Sequence, residues 1–344
     1  MKANILLIYT GGTIGMKQDP ETLALTPFNF DQILAEVPEL KKFVHTIDTF
    51  SFSPAIDSSD IEPFCWKEIA EVILTKYSKY DGFVILHGTD TMSYSASALS
   101  FMLENLEKPV IFTGSQLPIG MLRTDGKENL ISSIEIAATR DSDGRAMVPE
   151  VCVYFESQLY RGNRTTKINA ENFRAFTSPN YPCLAEAGIH IKYNTPFIYY
   201  PKEWGKTLKI NTSLDTNIAI LKIIPGINSS VVKSTLEIPG LRALVIETYG
   251  SGNAPTKDWF INLLLQAIQK GIIIINITQC LAGSVDMDAY STGILLKKIG
   301  VISGFDSTTE AAVAKLFFLL GHYNNNQEII SYLTKSLRGE ITIN

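Results

Sequence analysis

The chain has little cysteine, little histidine and no long apolar run. Its four cysteines (Cys65, Cys152, Cys183, Cys280) are scattered through 344 residues with no CxxC pair. That spacing argues against a disulfide framework and for free thiols in a reducing compartment. The four histidines, His45, His87, His190 and His322, are equally dispersed and no HExxH occurs. No metal site is expected from such a pattern. No stretch approaches the roughly 18 to 20 apolar residues that a membrane span needs. Even GIIIINIT at 271–278 has only strand length. The amino terminus, MKANILLIYTGG, lacks the longer apolar core and small-residue cleavage site of a signal peptide. A cytoplasmic protein is therefore expected. Basic excess is missing as well: the net charge is −5 and no basic stripe appears, which argues against nucleic acid.

What is present is the composition of a large globular core, 45% hydrophobic against 19% charged, in a chain long enough for two domains. Short β-branched runs at 4–9, 45–50, 82–87, 109–113, 151–155, 217–224, 242–247 and 271–277 alternate with helix-like stretches near 61–77, 91–104, 124–139, 257–270 and 308–320. Alternation of this kind implies parallel strands with crossover helices on both faces. The expected fold is α/β: a parallel-sheet N-terminal domain of Rossmann or flavodoxin type, and a second, smaller α/β domain. The stretch 193–215, rich in aromatics, prolines and lysines, breaks the period. It reads as a linker between domains at 1–192 and 216–344. The asparagines at 324–326 read as a loop before a last helix.

In open parallel sheets, ligands bind beyond the carboxyl ends of the strands. Four polar segments fall there. Thr10-Gly11-Gly12-Thr13 follows the first strand, and Asp57-Ser58-Ser59-Asp60 lies beyond the second. Gly88-Thr89-Asp90-Thr91 follows the third, and ESQLY leads from 151–155 into RGNRTTK at 161–167. Together they offer hydroxyls, a carboxylate and Lys167. Each also has a plainer reading. Ser59 or Asp60 can N-cap the helix at 61–77, and Thr89, Asp90 or Thr91 can cap the next one. Lys167 can be a solvated surface lysine, and Gly11-Gly12 a tight turn.

A phosphate cradle fits the glycines poorly. The G-G-x-x-G spacing is neither a Walker loop nor a dinucleotide fingerprint, and a proline-bearing loop follows instead of a helix. Loops of that length over crevices are often lids. A nucleophile fits better. A threonine hydroxyl needs a base, yet the only histidine in these segments is His87, at a strand end where a core role is expected. A lysine can serve when its surroundings keep it neutral, with Asp90 to orient it. Thr89, Asp90 and Lys167 then form a triad without histidine, and Thr13 is a second hydroxyl facing the same pocket.

TGGTIGM at 10–16, DSSD at 57–60, HGTDTMSYSASALSFMLEN at 87–105, TGSQLPIG at 113–120 and RGNRTTK at 161–167 resemble the type I, cytoplasmic L-asparaginases. YGSGNAP at 249–255 and NITQC at 276–280 carry the likeness into the C-terminal half. The resemblance implies hydrolysis of L-asparagine to L-aspartate and ammonia without a cofactor, in a homodimer or a dimer of dimers. It implies attack by Thr13 and a proton relay of Thr89, Asp90 and Lys167. Backbone N–H groups near Thr89 and Ser115 would hold the oxyanion. Gly12, Asp57, Ser58, Ser59 and Gly88 would line the substrate, with Ser58 on its α-carboxylate and Asp90 on its α-ammonium.

Two departures from that family stand out. Its members commonly carry a tyrosine on the loop matching MKQDPETLALTP, where this chain has none and Leu25 stands near the expected place. Tyr290 is the candidate substitute. Some members also bind a second asparagine at segments matching Thr166, Thr278 and Cys280, with an arginine where this chain has Glu247. A glutamate there would repel the ligand carboxylate, so weak or absent activation by asparagine is expected. Three rival readings are compatible with the sequence. They are a glutaminase-asparaginase of broader specificity, the amidase-type subunit of a tRNA-dependent amidotransferase, and a non-catalytic amino-acid sensor on the same scaffold.

Overall fold

The computed structural model describes residues 2–18, 25–27 and 36–343. It divides into two compact units, Met1–Asn211 and Thr212–Asn344.

The first unit is built on an eight-stranded sheet. Its parallel strands are β1 (Asn4–Tyr9), β2 (Thr46–Ser51), β3 (Gly82–Leu86), β4 (Val110–Thr113) and β5 (Val151–Phe155). They lie in the order β2-β1-β3-β4-β5. Three antiparallel strands, β6 (Gln158–Arg161), β7 (Ala185–Ala187) and β8 (Ile191–Tyr193), extend the β5 edge. Helices α1 (Pro63–Lys76), α2 (Met92–Met102) and α3 (Gly126–Ala138) make the crossovers. Strands β3, β4 and β5 are buried at every residue, as strands covered on both faces must be, which is why they read as unbroken apolar runs. Helix α1 begins with a proline, tolerated where no N–H partner is needed, and buries Cys65, Trp66, Ile69, Ala70 and Ile73 along one side. The strand order is the flavodoxin-like one. Its direction of winding reverses between β1 and β3, and in sheets of this kind the crevice for a ligand lies at that switch point, beyond the carboxyl ends of the strands.

Two segments are built more tightly than the sequence alone conveys. ESQLY leads from β5 toward 161–167 through a hairpin. Glu156 and Ser157 (φ 46° and 65°) make a two-residue turn with both φ positive, the geometry that suits a tight hairpin. β6 then returns antiparallel, pairing Arg161 with Cys152. The segment after it packs beside α2, where a Cβ on Gly162 would stand 3.0 Å from the Ala96 Cβ. The Asn163 amide donates to Ser100 Oγ at 3.1 Å. Thr166–Lys167 finally pairs with Phe176–Thr177. The stretch 193–215 is likewise not a free connector. Tyr199 N–H donates to Glu150 at 2.8 Å, and Lys209–Ile210 pairs with Leu103–Glu104 just after α2. These contacts tie it into the first unit up to Asn211.

The second unit has a four-stranded parallel sheet, β9 (Ile218–Lys222), β10 (Ala243–Thr248), β11 (Ile273–Thr278) and β12 (Ile302–Ser303), in sequence order. Helices α4 (Ser229–Leu236), α5 (Asp258–Gln269), α6 (Ser291–Ile299), α7 (Thr309–His322) and α8 (Asn326–Leu333) accompany it. Its core joins Leu244, Ile246, Phe260, Leu264, Ile274 and Leu296. Helices α4 and α6 are short and gave no clear period in the sequence. No described helix is long and apolar enough to cross a membrane.

Candidate active site

The site begins with the turn after β1. Thr10 bonds Leu86 O through both its N–H and its hydroxyl, each at 3.0 Å, and accepts from Ile56 N–H at 2.7 Å. Three segments are thus drawn together main chain to main chain. Gly12 has φ 89°, and a Cβ there would lie 2.5 Å from Gly88 Cα; one on Gly11 would lie 2.0 Å from Ile56 O. Only glycine tolerates both the conformation and the approach. Thr13–Gly15 forms a single 3-10 turn. Tyr9, whose phenol burial pushes up to about 12, donates to Gly15 O at 3.2 Å. Ile14 is buried and anchors the turn, while Thr13 is half-buried. Among the described residues no hydrogen bond holds the Thr13 hydroxyl.

Beyond β3 the contacts are different. Lys167 Nζ donates to Thr89 Oγ1 and to Asp90 Oδ1, each at 2.7 Å. The lysine side chain is 18% exposed and the aspartate 67%, so the pair spans the rim of the crevice. Thr89 Oγ1 also lies 3.4 Å from Gln116 Oε1, and Gln116 Nε2 donates to Asn172 O at 3.0 Å. Hydroxyl, carboxylate and ammonium, drawn from two separate stretches of sequence, meet here.

The remaining residues form the walls. Ser58 is buried, and its Oγ would stand 2.4 Å from a Cβ on Gly88. Asp57 accepts from Ser59 N–H at 2.9 Å and from its hydroxyl at 2.7 Å, and these bonds hold its carboxyl below the usual range. Ser115 is buried. The loop carrying it is fixed by Asp125, whose carboxylate accepts from Gln116 N–H and Leu117 N–H at 3.0 to 3.2 Å. Burial nevertheless pushes the Asp125 carboxyl up. Asn129 adds a bond to Gly114 O at 3.0 Å.

The capping readings do not hold. Helix α1 starts at Pro63 with Glu62 before it and no side-chain cap, while Asp57 caps the short Ser58–Asp60 turn. Thr91 stands at the N-cap of α2, but its hydroxyl donates to Ser58 O at 2.7 Å, and Thr89 and Asp90 face Lys167 instead. Gln116 and Asp125 were not singled out in the sequence. An aspartate just before a helix was the available signal, and it resembles an ordinary cap.

The loop expected over the site has strands Met16–Gln18 and Leu25–Pro27 paired antiparallel; residues 19–24 and the side chain of Leu25 lie outside the described residues. Tyr290 belongs to the second unit, exposed at the N-cap of α6. Thr166 pairs with Thr177 in the first unit. In the second unit Thr278 donates to Gly250 O at 2.6 Å and accepts from Cys280 N–H at 3.0 Å. Glu247 accepts from the Thr309 hydroxyl at 3.0 Å. Among the described residues no group of three or more side chains is arranged to hold a metal ion.

Hydroxyls, a carboxylate and a lysine at the switch point of a parallel sheet form a plausible hydrolytic site. The sequence model for the asparaginase N-terminal region matches residues 4–199, and that for the glutaminase/asparaginase C-terminal domain matches 217–333. The chain belongs to the asparaginase family. It is 44% identical to L-asparaginase 1 of Escherichia coli (strain K12), over 99% of this chain and 98% of that one. The crystal structure of L-asparaginase I from Vibrio cholerae superposes with a TM-score of 0.90 at 42% identity, covering all of both chains. The thermostable L-asparaginase from Thermococcus kodakarensis gives 0.89 at 30% identity, over 99% of this chain and all of that one.

Proposed function

We propose that the chain hydrolyses the side-chain amide of L-asparagine to L-aspartate and ammonia, with Thr13 as nucleophile and no cofactor. The observation that carries this reading is the Lys167–Thr89–Asp90 group assembled at the switch point beside the Thr13 turn. Thr13 Oγ attacks the amide carbon. The carbon–nitrogen bond breaks, and the hydroxyl proton leaves on ammonia through the polar groups of the crevice. Water then cleaves the aspartyl ester and restores Thr13. Thr89 and Lys167 hold and pass the proton in both halves. Main-chain N–H groups at Thr89 and Ser115 serve the oxyanion, an interaction commonly worth several kcal/mol, about 3 or more. Ser58 and the donors around Gly88 take the α-carboxylate, and Asp90 takes the α-ammonium.

The cysteines among the described residues are free, in keeping with a cytoplasmic enzyme. We assign it a homodimeric or dimer-of-dimers state from its family, to be measured by sedimentation. Ammonia release with asparagine, with glutamine and without substrate tests the activity. Turnover of asparagine that disappears in Thr13→Ala is expected. Near-normal release by Thr13→Ala would move the nucleophile elsewhere, and no release from either amide would favour a sensor.

A further inference from the structure

We propose that His87 is a positioning residue for this reaction: through the Gly88 carbonyl it fixes the Gly88–Thr89 peptide so that the Thr89 N–H faces the crevice. The inference rests on the reading above, in which that N–H serves the oxyanion.

His87 closes β3 and is buried, as are Ser95 and Trp66. Trp66 Nε1–H donates to Ser95 Oγ at 2.8 Å. Ser95 Oγ lies 2.9 Å from His87 Nε2, and His87 Nδ1 lies 2.7 Å from Gly88 O. A carbonyl oxygen only accepts, so Nδ1 carries the proton. The indole only donates, so Ser95 accepts from Trp66 and gives its own proton to Nε2. The chain therefore runs one way, from Trp66 through Ser95 and His87 to Gly88 O. The ring itself is held edge-on to Phe112 at 5.6 Å, and His87 N–H is bound to Thr113 O at 2.9 Å.

The consequence follows from peptide geometry. In a planar trans peptide the carbonyl and the next N–H point in opposite directions. With Gly88 O drawn toward the buried imidazole, Thr89 N–H points away from it. Gly12 packs against Gly88 Cα and the His87–Gly88 peptide, at a separation that excludes a Cβ, so the Thr13 turn begins directly beside the residue whose carbonyl the imidazole holds. A peptide flanked by glycine on one side has little else to stop it rotating. The imidazole supplies the stop. Burial holds this histidine at about 4, far below its usual range, so it stays neutral and keeps Nε2 as an acceptor.

The test separates orientation from mere packing. His87→Leu removes the donor, whereas His87→Asn can place an amide N–H near the position of Nδ1. The expected result is a kcat about ten- to a hundredfold lower in His87→Leu with KM nearly unchanged, since removing an oxyanion donor altogether costs about 10²–10³. His87→Asn should recover most of that loss. Affinity for L-aspartate, which has no oxyanion to form, should not follow kcat. Imidazole nitrogen NMR of the unmodified protein should show Nδ1 protonated, and in Ser95→Ala the unprotonated Nε2 signal should shift. If His87→Leu does not fold, the NMR tautomer and the kcat of Ser95→Ala decide. An unchanged kcat in folded His87→Leu, or a proton on Nε2, overturns the inference. Inactivity of the unmodified protein on asparagine is a different result, and overturns the underlying reading instead.

Discussion

Both units end their parallel strands in polar, glycine-bearing turns, yet the turns do opposite things. In the second unit several of these groups are spent on bonds within the unit. Thr248 Oγ1 donates to Asn276 Oδ1 at 2.6 Å, and Asn276 Nδ2 donates to Gly252 O at 3.1 Å. Gln279 Nε2 bridges Ile223 O and Glu247 O at 2.6 and 2.7 Å. These bonds close the YGSGN turn on itself. In the first unit the Thr13 hydroxyl has no such partner among the described residues, while Thr89 is held by a lysine that is itself held by a carboxylate. A turn whose donors and acceptors are all satisfied is structural; one that leaves a hydroxyl open beside a positioned cation can do chemistry.

The largest effect that follows is on Lys167. Lys167→Met keeps the length and removes the proton carrier, and kcat should fall by about a thousandfold. Folding should change little, because the pair lies at the rim and exposed ion pairs contribute at most about 1 kcal/mol. A rate within tenfold of normal, read by ammonia release, would sink the relay and erase the contrast between the two units.

Next comes the acid response of the first unit. His87 is held at about 4 by burial, against 6.5 unfolded. Between those values the unfolded chain binds the proton and the folded chain does not, so stability falls as pH drops through this window. By linkage the loss amounts to roughly 3 kcal/mol and is complete below the folded value. Urea unfolding at pH 7 and pH 4.5 should show a smaller loss in His87→Asn than in the unmodified protein. Equal losses would mean that the ring is not shielded as the structure shows.

In the second unit the corresponding effect is on stability alone. Asn276 is fully buried, and Asn276→Leu takes the donor from the Gly252 carbonyl and leaves the Thr248 hydroxyl only the longer bond to Ile277 O at 3.4 Å. About 2 kcal/mol of stability should be lost, with kcat unaltered in the folded fraction. A rate that falls together with stability would show that this turn takes part in the reaction after all.

The contrast explains what the sequence could reveal. The places of β1 to β5 along the chain and the polar segments after β1 and β3 were readable, because buried parallel strands are unbroken apolar runs and their ends are marked by glycine and threonine. The path to Lys167 was not, since Glu156 and Ser157 carry none of the Asn-Gly signal of a tight hairpin. Nor was the Trp66–Ser95–His87 chain, whose members lie on α1, on α2 and just past β3 and look like core residues one at a time. The polar turns of the second unit looked much like those of the first. Only the partner of each hydroxyl separates a closed turn from an open one, and partners are tertiary facts.

The smallest effect concerns Glu247, where the family places an arginine in members that bind a second asparagine. Here the carboxylate is already engaged. It accepts from Thr309, the first residue of α7, and lies 3.7 Å from Lys222 Nζ. A helix amino terminus favours a negative charge, so Glu247 occupies the favourable position that an incoming carboxylate would seek, and repels it. Thr278 is spent on Gly250 O. The rate curve with asparagine should therefore be hyperbolic, and Thr278→Ser or Cys280→Ser should leave its shape unchanged. A sigmoidal curve abolished by either substitution would mean that an effector can displace these internal bonds, and the second unit's turns would then have to be counted as a site.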